Sequence, residues 1–347
     1  MCGISGIYNF SDRKIDSNKI INRIIKLQTS RGPDRNGIWE SESKKVTFGH
    51  NRLSIIDLSE KANQPFISND KNLIITFNGE IYNYLELKKH LKRKKIIFKS
   101  NSDTEVILES YKFWGLDFLK KLRGMYSFAI WDNRNNKLIL ARDPFGIKPL
   151  YYTISNGVIY FASQIKSILS IENLNFKYSD AGIVSYYLWG NLPESFTLYK
   201  NIKSINRGTC VIFEQNGTQK IFDHANIKDS ILNTNEMKFK NENSKSEYLK
   251  DIITETVNYH QVSDVPRTLM LSAGIDSNLI LASISSENKK NCSALTLDFN
   301  YKGRNDETLL AKESAYLNKI KHQIINLSEE EFFNLINKFF EKMDSPT

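Results

Sequence analysis

The hydrophobic pattern of this 347-residue chain changes across a polar, Asn- and Lys-rich interval at residues 217–246. Before that interval, short apolar segments alternate with turn residues, as at 126–131 and 138–142 around a polar turn, which is typical of β-hairpins. After it, apolar segments of helix length and strand length alternate, and this favours a parallel doubly wound sheet. The sequence therefore predicts an α+β domain followed by an α/β domain.

This periodicity predicts the individual elements. In the second domain we predict helices at 247–262, 277–285, 306–317 and 329–342, and strands at 268–272, 293–298 and 322–327. In the first domain we predict, among others, a strand at 73–76 and helices at 106–114 and 181–189. The domain boundaries are predicted at 2–213 for the first domain, 214–245 for a linker and 246–347 for the second domain.

Composition argues against several classes of function. The formal net charge is +9, but the lysines are spread along the chain, whereas nucleic-acid-binding proteins usually carry a basic stripe with aromatics. Cys2, Cys210 and Cys292 are far apart, so neither a disulfide framework nor a zinc site is expected. No apolar run is long enough to span a membrane, and no secretory signal opens the chain. We expect a cytoplasmic enzyme that binds neither nucleic acid nor membrane.

The cysteine at position 2 is the first candidate catalytic residue. If Met1 is removed, Cys2 carries both a thiol nucleophile and a free α-amine, whose pKa of about 8 suits a general base. Such an N-terminal nucleophile needs no separate histidine. Since a cysteine at this position is usually chance, the interpretation depends on the residues that accompany it.

Four further segments carry unusual polar residues, and they lie at 31–34 (Arg-Gly-Pro-Asp), 50–57, 77–84 and 102–105. Each segment has a structural explanation when taken alone. Asn78 and Gly79 form a common turn pair, Ser102 with Glu105 fits a helix capping box, and Arg52 is compatible with an ordinary surface cation. These separate explanations do not account for the occurrence of all four segments in one chain together with a cysteine at position 2.

With the motifs at 124–132 and 142–152, these segments resemble the class II glutamine amidotransferase domain, an N-terminal-nucleophile hydrolase. The resemblance runs almost continuously from residue 2 to about 205 and implies a four-layer αββα sandwich. The whole chain resembles the glutamine-hydrolysing asparagine synthetase family. One departure is Ser30, where family members often have histidine, and we assign that position no essential chemistry.

The resemblance implies the chemistry of the first site. Cys2 attacks the side-chain carboxamide of glutamine and forms a thioester, while its α-amine takes the thiol proton and later passes it to ammonia. Asn78 and the backbone N–H of Gly79 form the oxyanion hole, in which each donor is typically worth about 3 kcal/mol.

The resemblance also implies how glutamine is recognised. Arg52 pairs with the α-carboxylate, because a guanidinium fork suits two oxygens. Asp103 holds the α-ammonium, with Glu80 nearby. Backbone of the Arg52 segment lines the pocket, at Leu53, Ser54, Ile55 and Ile56.

A second site is indicated at residues 270–277, Met-Leu-Ser-Ala-Gly-Ile-Asp-Ser, between a predicted strand and a predicted helix. Backbone N–H groups of such a turn form an anion cradle. The segment resembles the pyrophosphate loop (PP-loop) of ATP pyrophosphatases. Two residues depart from the usual pattern, because Ala273 replaces the first glycine and Asn278 replaces a frequent serine.

This second resemblance implies ATP and Mg²⁺ as cofactors, since Mg²⁺ prefers carboxylate and phosphate oxygens. The residues implied are Ser272, Gly274 and Ser277 for pyrophosphate, Asp276 for Mg²⁺, and the backbone near Met270 and Leu297 for adenine. Asp306 and Glu307 resemble an acidic pair of the family, but we expect them only to cap the following helix.

The implied activity joins the two sites. Ammonia released from glutamine travels through an internal tunnel to aspartate that ATP has activated as an acyl-adenylate, and the products are asparagine, AMP, pyrophosphate and glutamate. The family also implies a homodimer. A second Ser-Gly-x-Gly-x-Asp-Glu loop of the family is not found before Thr347. We therefore expect an incomplete, truncated synthetase domain, and a fragment that hydrolyses glutamine without forming an amide on its own.

Three alternatives stay open. A related amidotransferase acts on another carboxylate, such as a uronic acid of a polysaccharide, because the acceptor-binding residues would lie beyond this sequence. A truncated chain retains glutaminase activity only, or it folds poorly and is no enzyme at all. A β-lactam-synthetase-like relative is disfavoured, because such enzymes need no cysteine nucleophile.

Overall fold

The computed structural model describes residues 1–233, 237–299 and 307–344. The chain divides into two compact units, one comprising Met1–Thr234 with Asp344–Thr347 and the other Asn235–Met343. Each unit has its own sheet system and its own apolar core.

The first unit contains two six-stranded antiparallel sheets. In chain order its strands are β1 (Gly3–Asn9), β2 (Arg35–Glu40), β3 (Val46–Arg52), β4 (Phe66–Ile67), β5 (Leu73–Ile81), β6 (Gly124–Asp132), β7 (Lys137–Arg142), β8 (Tyr151–Ser155), β9 (Val158–Ala162), β10 (Lys203–Ser204), β11 (Thr209–Phe213) and β12 (Gln219–Asp223). The strand orders are β10-β8-β9-β1-β3-β2 and β12-β11-β7-β6-β5-β4. The predicted hairpin is confirmed, since β6 and β7 pair with Asp132 opposite Lys137.

The helices of this unit connect and cover the strands. In chain order they are α1 (Ser17–Leu27), α2 (Tyr84–Arg93), α3 (Asp103–Trp114), α4 (Ile165–Leu169), α5 (Asp180–Trp189) and α6 (Ile227–Leu232), with short 3-10 helices at Glu60–Ala62 and Gly115–Lys121. Helix α1 begins at an Asp16 cap, whose carboxylate accepts the Lys19 N–H at 2.9 Å. Isoleucines spaced three to four residues apart give α1 its buried face, at Ile21, Ile24 and Ile25.

The two sheets pack face to face around one core. The first sheet contributes buried side chains from β1, β3 and β9, and the second contributes them from β5, β6, β7 and β11. The rings of Phe48 and Phe161 meet edge to face at 5.6 Å within this layer. Helices α1 and α4 bury isoleucines against the outer face of the first sheet, and α3 packs on β5 of the second. The predicted αββα sandwich is therefore confirmed.

Strand β1 lies inside the first sheet, between β9 and β3. All seven of its residues are buried, and its register pairs Ile4 with His50 on one side and Ser5 with Ala162 on the other. Gly6 is required here, because a Cβ would lie 2.3 Å from a ring atom of Phe161. The strand that follows Cys2 therefore lies in the interior of the sheet and ties down a part of the chain that is poorly ordered in many domains.

The interval 214–245, predicted to be a linker, contains regular structure. Strand β12 pairs antiparallel with β11 along five residues, and α6 follows it. The strand is polar because it is an edge strand with most of its residues exposed. The boundaries proposed from the sequence stay a prediction.

The second unit alternates helices with parallel strands. Its elements are α7 (Glu242–Tyr259), β13 (Arg267–Met270), α8 (Ile275–Ser283), α9 (Ser286–Lys289), β14 (Cys292–Asp298), α10 (Thr308–Leu317), β15 (Lys321–Asn326) and α11 (Glu329–Lys342). The three strands form a parallel sheet in the order β13-β14-β15. The predicted alternation is confirmed, although α9 was not predicted and α7 begins earlier, at an Asn241 capping box with Ser244. In the described residues of both units, no helix combines the length and apolarity needed to cross a membrane.

We expect Phe48→Ala to lower the free energy of unfolding of the first unit by about 3–5 kcal/mol, because it removes a fully buried ring between the sheets. Every tryptophan of the chain lies in this unit, so tryptophan fluorescence during urea denaturation reports on its unfolding. The control is Ile97→Ala, at a side chain that is 79% exposed, with an expected change below about 0.5 kcal/mol. Equal effects of the two substitutions would contradict this core.

Candidate active site

A cavity of about 220 Å³ lies beside Cys2 in the first unit. The residues predicted for glutamine that line it are Cys2, Arg52, Leu53, Ile55, Ile56, Asn78, Gly79, Glu80 and Asp103. Ser54 was predicted with them but is not among the lining residues, and its backbone N–H instead donates to the Asp34 carboxylate at 2.8 Å. The fold thus brings side chains from four separate sequence segments into one cavity.

The Cys2 thiol is partly buried against the residue that follows β3. Its Sγ lies 3.4 Å from the backbone nitrogen of Leu53, which donates to it, and 3.6 Å from the carbonyl oxygen of the same residue. Burial raises the pKa of the Cys2 thiol. A base is therefore needed to generate the thiolate at neutral pH.

The backbone of the nucleophile is held on both sides. Arg31 donates from Nε to the carbonyl oxygen of Cys2 at 3.0 Å, and Gly3 pairs with Asn51 in β3. A Cβ on Gly3 would approach Gln28 Oε1 to 2.3 Å. These contacts fix where the thiol projects from the start of β1.

Asn78 presents an unpartnered donor at the cavity. The residue is only 1% exposed, and its Nδ2 has no hydrogen-bond partner among the described residues. A buried amide donor without a partner costs about 1–3 kcal/mol. The neighbouring Gly79 is packed tightly, since a Cβ there would lie 2.2 Å from the Met125 carbonyl oxygen. A carbonyl oxygen that develops negative charge would satisfy the amide donor.

Arg52 lines the cavity while much of its guanidinium is held by the protein. Nη1 donates to the carbonyl oxygen of Ser59 at 3.0 Å and to Asn63 Oδ1 at 2.8 Å, and Nη2 donates to the carbonyl oxygen of Asp57. Burial lowers the pKa of Arg52. The bonds fix the guanidinium in one orientation toward the cavity, where an anionic group would be bound.

Asp103 begins α3 inside the cavity. Ser102 caps the helix by accepting the Glu105 N–H at 3.3 Å, and one carboxylate oxygen of Asp103 accepts the Ile81 N–H at 3.1 Å. Burial raises the pKa of Asp103 to about 7, although the Ile81 bond lowers it, and the neighbouring Glu80 raises it further. A cationic ligand would favour the ionised carboxylate.

Lys148 is a cavity residue that the sequence analysis did not single out. It lies in the 142–152 motif, in a loop that is folded around the fully buried carboxylate of Asp143. Asp143 accepts backbone N–H groups from Tyr126, Phe145, Ile147 and Lys148 at 3.0–3.2 Å. The only signal in the sequence was the motif itself, which does not show where the loop folds.

In the second unit, the predicted phosphate loop connects β13 to α8. The Ser272 and Ser277 hydroxyls lie 3.1 Å apart, and the Gly274 N–H donates to Ser272 Oγ at 3.1 Å. Among the described residues, a Cβ on Gly274 would approach only that oxygen, also at 3.1 Å. The two serines therefore help to hold the loop, and the described residues leave the space beside Gly274 open.

Asp276 is exposed in the first turn of α8, and both Met270 and Leu297 expose much of their side chains. Within residues 1–233, 237–299 and 307–344, no group of three or more His, Cys, Asp or Glu side chains could hold a metal ion. A site with one carboxylate, that of Asp276, is compatible with Mg²⁺, because this ion is usually held by one or two carboxylates together with substrate phosphates.

The expectation that Glu307 only caps its helix is wrong. Glu307 occupies the N-cap position of α10 but makes no side-chain capping bond. Its Oε2 instead accepts the N–H of Ala273 at 3.1 Å. An anionic side chain thus already binds one amide of the phosphate loop. Asp306, predicted with it, lies outside the described residues.

The αββα sandwich with a cysteine at the start of an interior strand defines an N-terminal-nucleophile domain, and a parallel α/β unit follows it. Comparison with known proteins agrees. A family described as "Glutamine amidotransferase domain" matches residues 1–226, and one described as "Asparagine synthase" matches residues 248–347.

Individual relatives are similar along the whole chain. Asparagine synthetase [glutamine-hydrolyzing] 1 of Bacillus subtilis is 36% identical over 100% of this chain and 53% of its own length. A putative asparagine synthetase [glutamine-hydrolyzing] 2 of Methanocaldococcus jannaschii is 31% identical over 100% of this chain and 68% of its own. Among solved structures, a glutamine PRPP amidotransferase from B. subtilis is 17% identical over 93% of this chain and 65% of its own, with a TM-score of 0.48.

The chain belongs to the glutamine-hydrolysing asparagine synthetase family, with a glutamine amidotransferase domain at residues 1–226. It spans about half the length of the Bacillus relative.

Proposed function

We propose that the first unit hydrolyses glutamine to glutamate and ammonia at Cys2. The observation that carries this proposal is the single cavity that contains the Cys2 thiol, the unpartnered Nδ2 of Asn78, the Arg52 guanidinium and the Asp103 carboxylate. These groups are a nucleophile, an oxyanion donor, a cation for a carboxylate and an anion for an ammonium. One free amino acid with a side-chain carboxamide would engage all four.

The chemistry requires removal of Met1, which exposes the α-amine of Cys2. That amine takes the Sγ proton, the thiolate attacks the carboxamide carbon, and the resulting oxyanion accepts hydrogen bonds from Asn78 Nδ2 and the Gly79 N–H. The tetrahedral intermediate collapses to a thioester as ammonia leaves with a proton from the α-amine. Water, deprotonated by the same amine, then hydrolyses the thioester to glutamate. A reducing cytoplasmic location would keep the thiol free.

Substrate recognition follows from charge. The Arg52 guanidinium, already oriented by three protein oxygens, would bind the α-carboxylate of glutamine. Asp103, with Glu80 beside it, would bind the α-ammonium. Backbone after Arg52 would line the pocket. The cavity of about 220 Å³ is smaller than the roughly 300–1,000 Å³ that drug-sized ligands occupy, which suits one amino acid.

For the second unit we propose that it binds ATP for the activation of a carboxylate, that of aspartate, and that amide formation from the ammonia takes place in a complete family member rather than in this chain alone. The loop amides and hydroxyls of Ser272, Gly274 and Ser277 would bind pyrophosphate, and Asp276 would hold Mg²⁺. Backbone near Met270 and Leu297 would contact adenine. The space that the described residues leave open beside Gly274 and the exposed Asp276 support this assignment. Bound Mg²⁺ would neutralise phosphate charge during adenylate formation.

Cys2→Ala is expected to abolish glutamate release from glutamine, because no other group supplies the thioester. Asn78→Ala is expected to lower kcat by about 10²–10³-fold with a smaller effect on KM, since it removes a donor to the oxyanion. The assay is enzymatic detection of glutamate, and the matched control is Asn133→Ala in the β6–β7 turn. Undiminished release by the Cys2→Ala variant would refute the proposed nucleophile.

Glutamine binding is expected to weaken as the pH falls through about 7. Asp103, whose pKa is raised to about 7 by burial, must be ionised to pair with the α-ammonium, and protonation below that pH removes the charge. Calorimetric titration of the Cys2→Ala variant should show an affinity about tenfold lower at pH 6 than at pH 8. The Asp103→Asn variant should bind glutamine weakly at both pH values. A glutamine affinity that does not change with pH when Asp103 is present would contradict this role.

Asp276→Asn is expected to weaken binding of Mg²⁺–ATP at least about tenfold, because the metal loses its carboxylate ligand. Equilibrium dialysis with labelled ATP is the measurement, with Asp251→Asn on the exposed surface of α7 as the control. With EDTA present, the Asp276→Asn variant and the wild type should bind ATP equally. If the variant still binds ATP more weakly than the wild type in EDTA, the substitution has damaged the loop and the proposed metal role of Asp276 is not supported.

A further inference from the structure

Lys148 is a buried cation at the Cys2 cavity to which the proposed glutamine site assigns no role. The residue is only 6% exposed and lines the same cavity as Cys2 and Glu80. In the described part of the chain, its ammonium group makes no hydrogen bond and no ion pair. Burying an ammonium that makes no hydrogen bond is costly, and the nearby Glu80 carboxylate offsets part of that cost. A further anionic group in the cavity would be stabilised by the same ammonium.

The loop fixes Lys148 through its backbone rather than through its side chain. The Lys148 N–H donates to one carboxylate oxygen of Asp143 at 3.0 Å, and its carbonyl oxygen accepts from Arg142 Nε at 2.8 Å. Arg142 also donates to the carbonyl oxygen of Ile205 at 2.8 Å. Hydrogen bonds therefore fix both the backbone N–H and the carbonyl oxygen of Lys148. Its ammonium group makes no hydrogen bond among the described residues.

The other two cations near the thiol are committed to protein oxygens. Arg31 donates to the carbonyl oxygen of Cys2, and Arg52 donates to Ser59, Asn63 and Asp57. Of these three cations, Lys148 alone makes no side-chain hydrogen bond among the described residues. It is thus the group best able to respond when a negative charge forms in the cavity.

A negative charge forms in the cavity when the Cys2 thiol loses its proton. Burial lowers the pKa of Lys148, while the Glu80 carboxylate and, to a smaller extent, the Cys2 thiolate raise it. The other charged groups around the thiol are Arg31 before β2, Arg52 of β3, Glu80 of β5, Asp103 of α3 and the α-amine of Met1, which the α-amine of Cys2 replaces when Met1 is removed. A positive charge in a cavity of low dielectric acts strongly on such a neighbour.

We propose that Lys148 is a positioning residue whose ammonium stabilises the thiolate of Cys2 and so activates the nucleophile. This inference rests on the proposed role of Cys2 and deepens it. When the thiol proton leaves, the new charge on Sγ is balanced by the ammonium group, which neither gives nor takes a proton. Lys148 acts through Cys2, so its loss slows every reaction of the thiolate, including reactions that do not involve glutamine.

The test is the rate at which iodoacetamide alkylates Cys2 as a function of pH, measured by mass spectrometry of the N-terminal peptide. Lys148→Met is expected to slow alkylation at pH 7 at least about threefold and to move the half-maximal rate to higher pH, because removing a neighbouring cation raises the pKa of a thiol. Lys148→Arg should retain the wild-type profile. Lys203→Met, at an exposed lysine of β10, removes the same charge at the surface and should change nothing.

A second neutral variant, Lys148→Gln, guards against a folding defect, and tryptophan fluorescence in urea shows which variants are folded. A wild-type alkylation profile in either folded neutral variant would overturn the role of Lys148. Glutamate release is measured on the same preparations. A wild type that is alkylated at Cys2 but releases no glutamate would defeat the proposed glutaminase, while the alkylation profiles would still decide the role of Lys148.

Discussion

The pairing of β1 on both edges is the constraint on which the candidate site depends. Chain termini usually fray, because few contacts hold them. Here the first strand hydrogen-bonds to β3 on one side and β9 on the other, and every residue of it is buried. Residue 2 consequently has a fixed position at the cavity that Asn78 of β5 also lines. An N-terminal nucleophile can be placed accurately here because the strand that directly follows it is part of the core.

The polar groups of the candidate site are buried at a cost in folding free energy. Asp103 is buried with a raised pKa, Lys148 is a buried ammonium, and the Asn78 amide has a donor that no described residue accepts. Each feature lowers the stability of the unliganded protein. The proposed substrate would relieve each of these costs, through its ammonium group, its carbonyl oxygen and the negative charge that forms during the reaction. Burial of the large apolar core between the sheets offsets this loss of stability.

Much of the fold could be predicted from the sequence. The hairpin of β6 and β7 and the alternation of helices and parallel strands after residue 246 follow from periodicity, which depends only on local spacing. Strand β12 was missed because an edge strand exposes most of its residues and reads as polar. The proposed glutamine residues came from a resemblance, and the cavity contains nearly all of them. Lys148 and the bond from Ala273 to Glu307 could not be predicted, because each depends on how a loop folds against distant residues.

The most direct test of the N-terminal nucleophile is mass spectrometry of the first peptide after acid quenching during glutamine turnover. The mechanism predicts that this peptide begins at Cys2, with Met1 absent, and that a fraction carries a glutamyl group that hydroxylamine removes, as a thioester requires. Glutamine hydrolysis by chains that retain Met1, or turnover with the glutamyl group on another residue, would contradict the central claim.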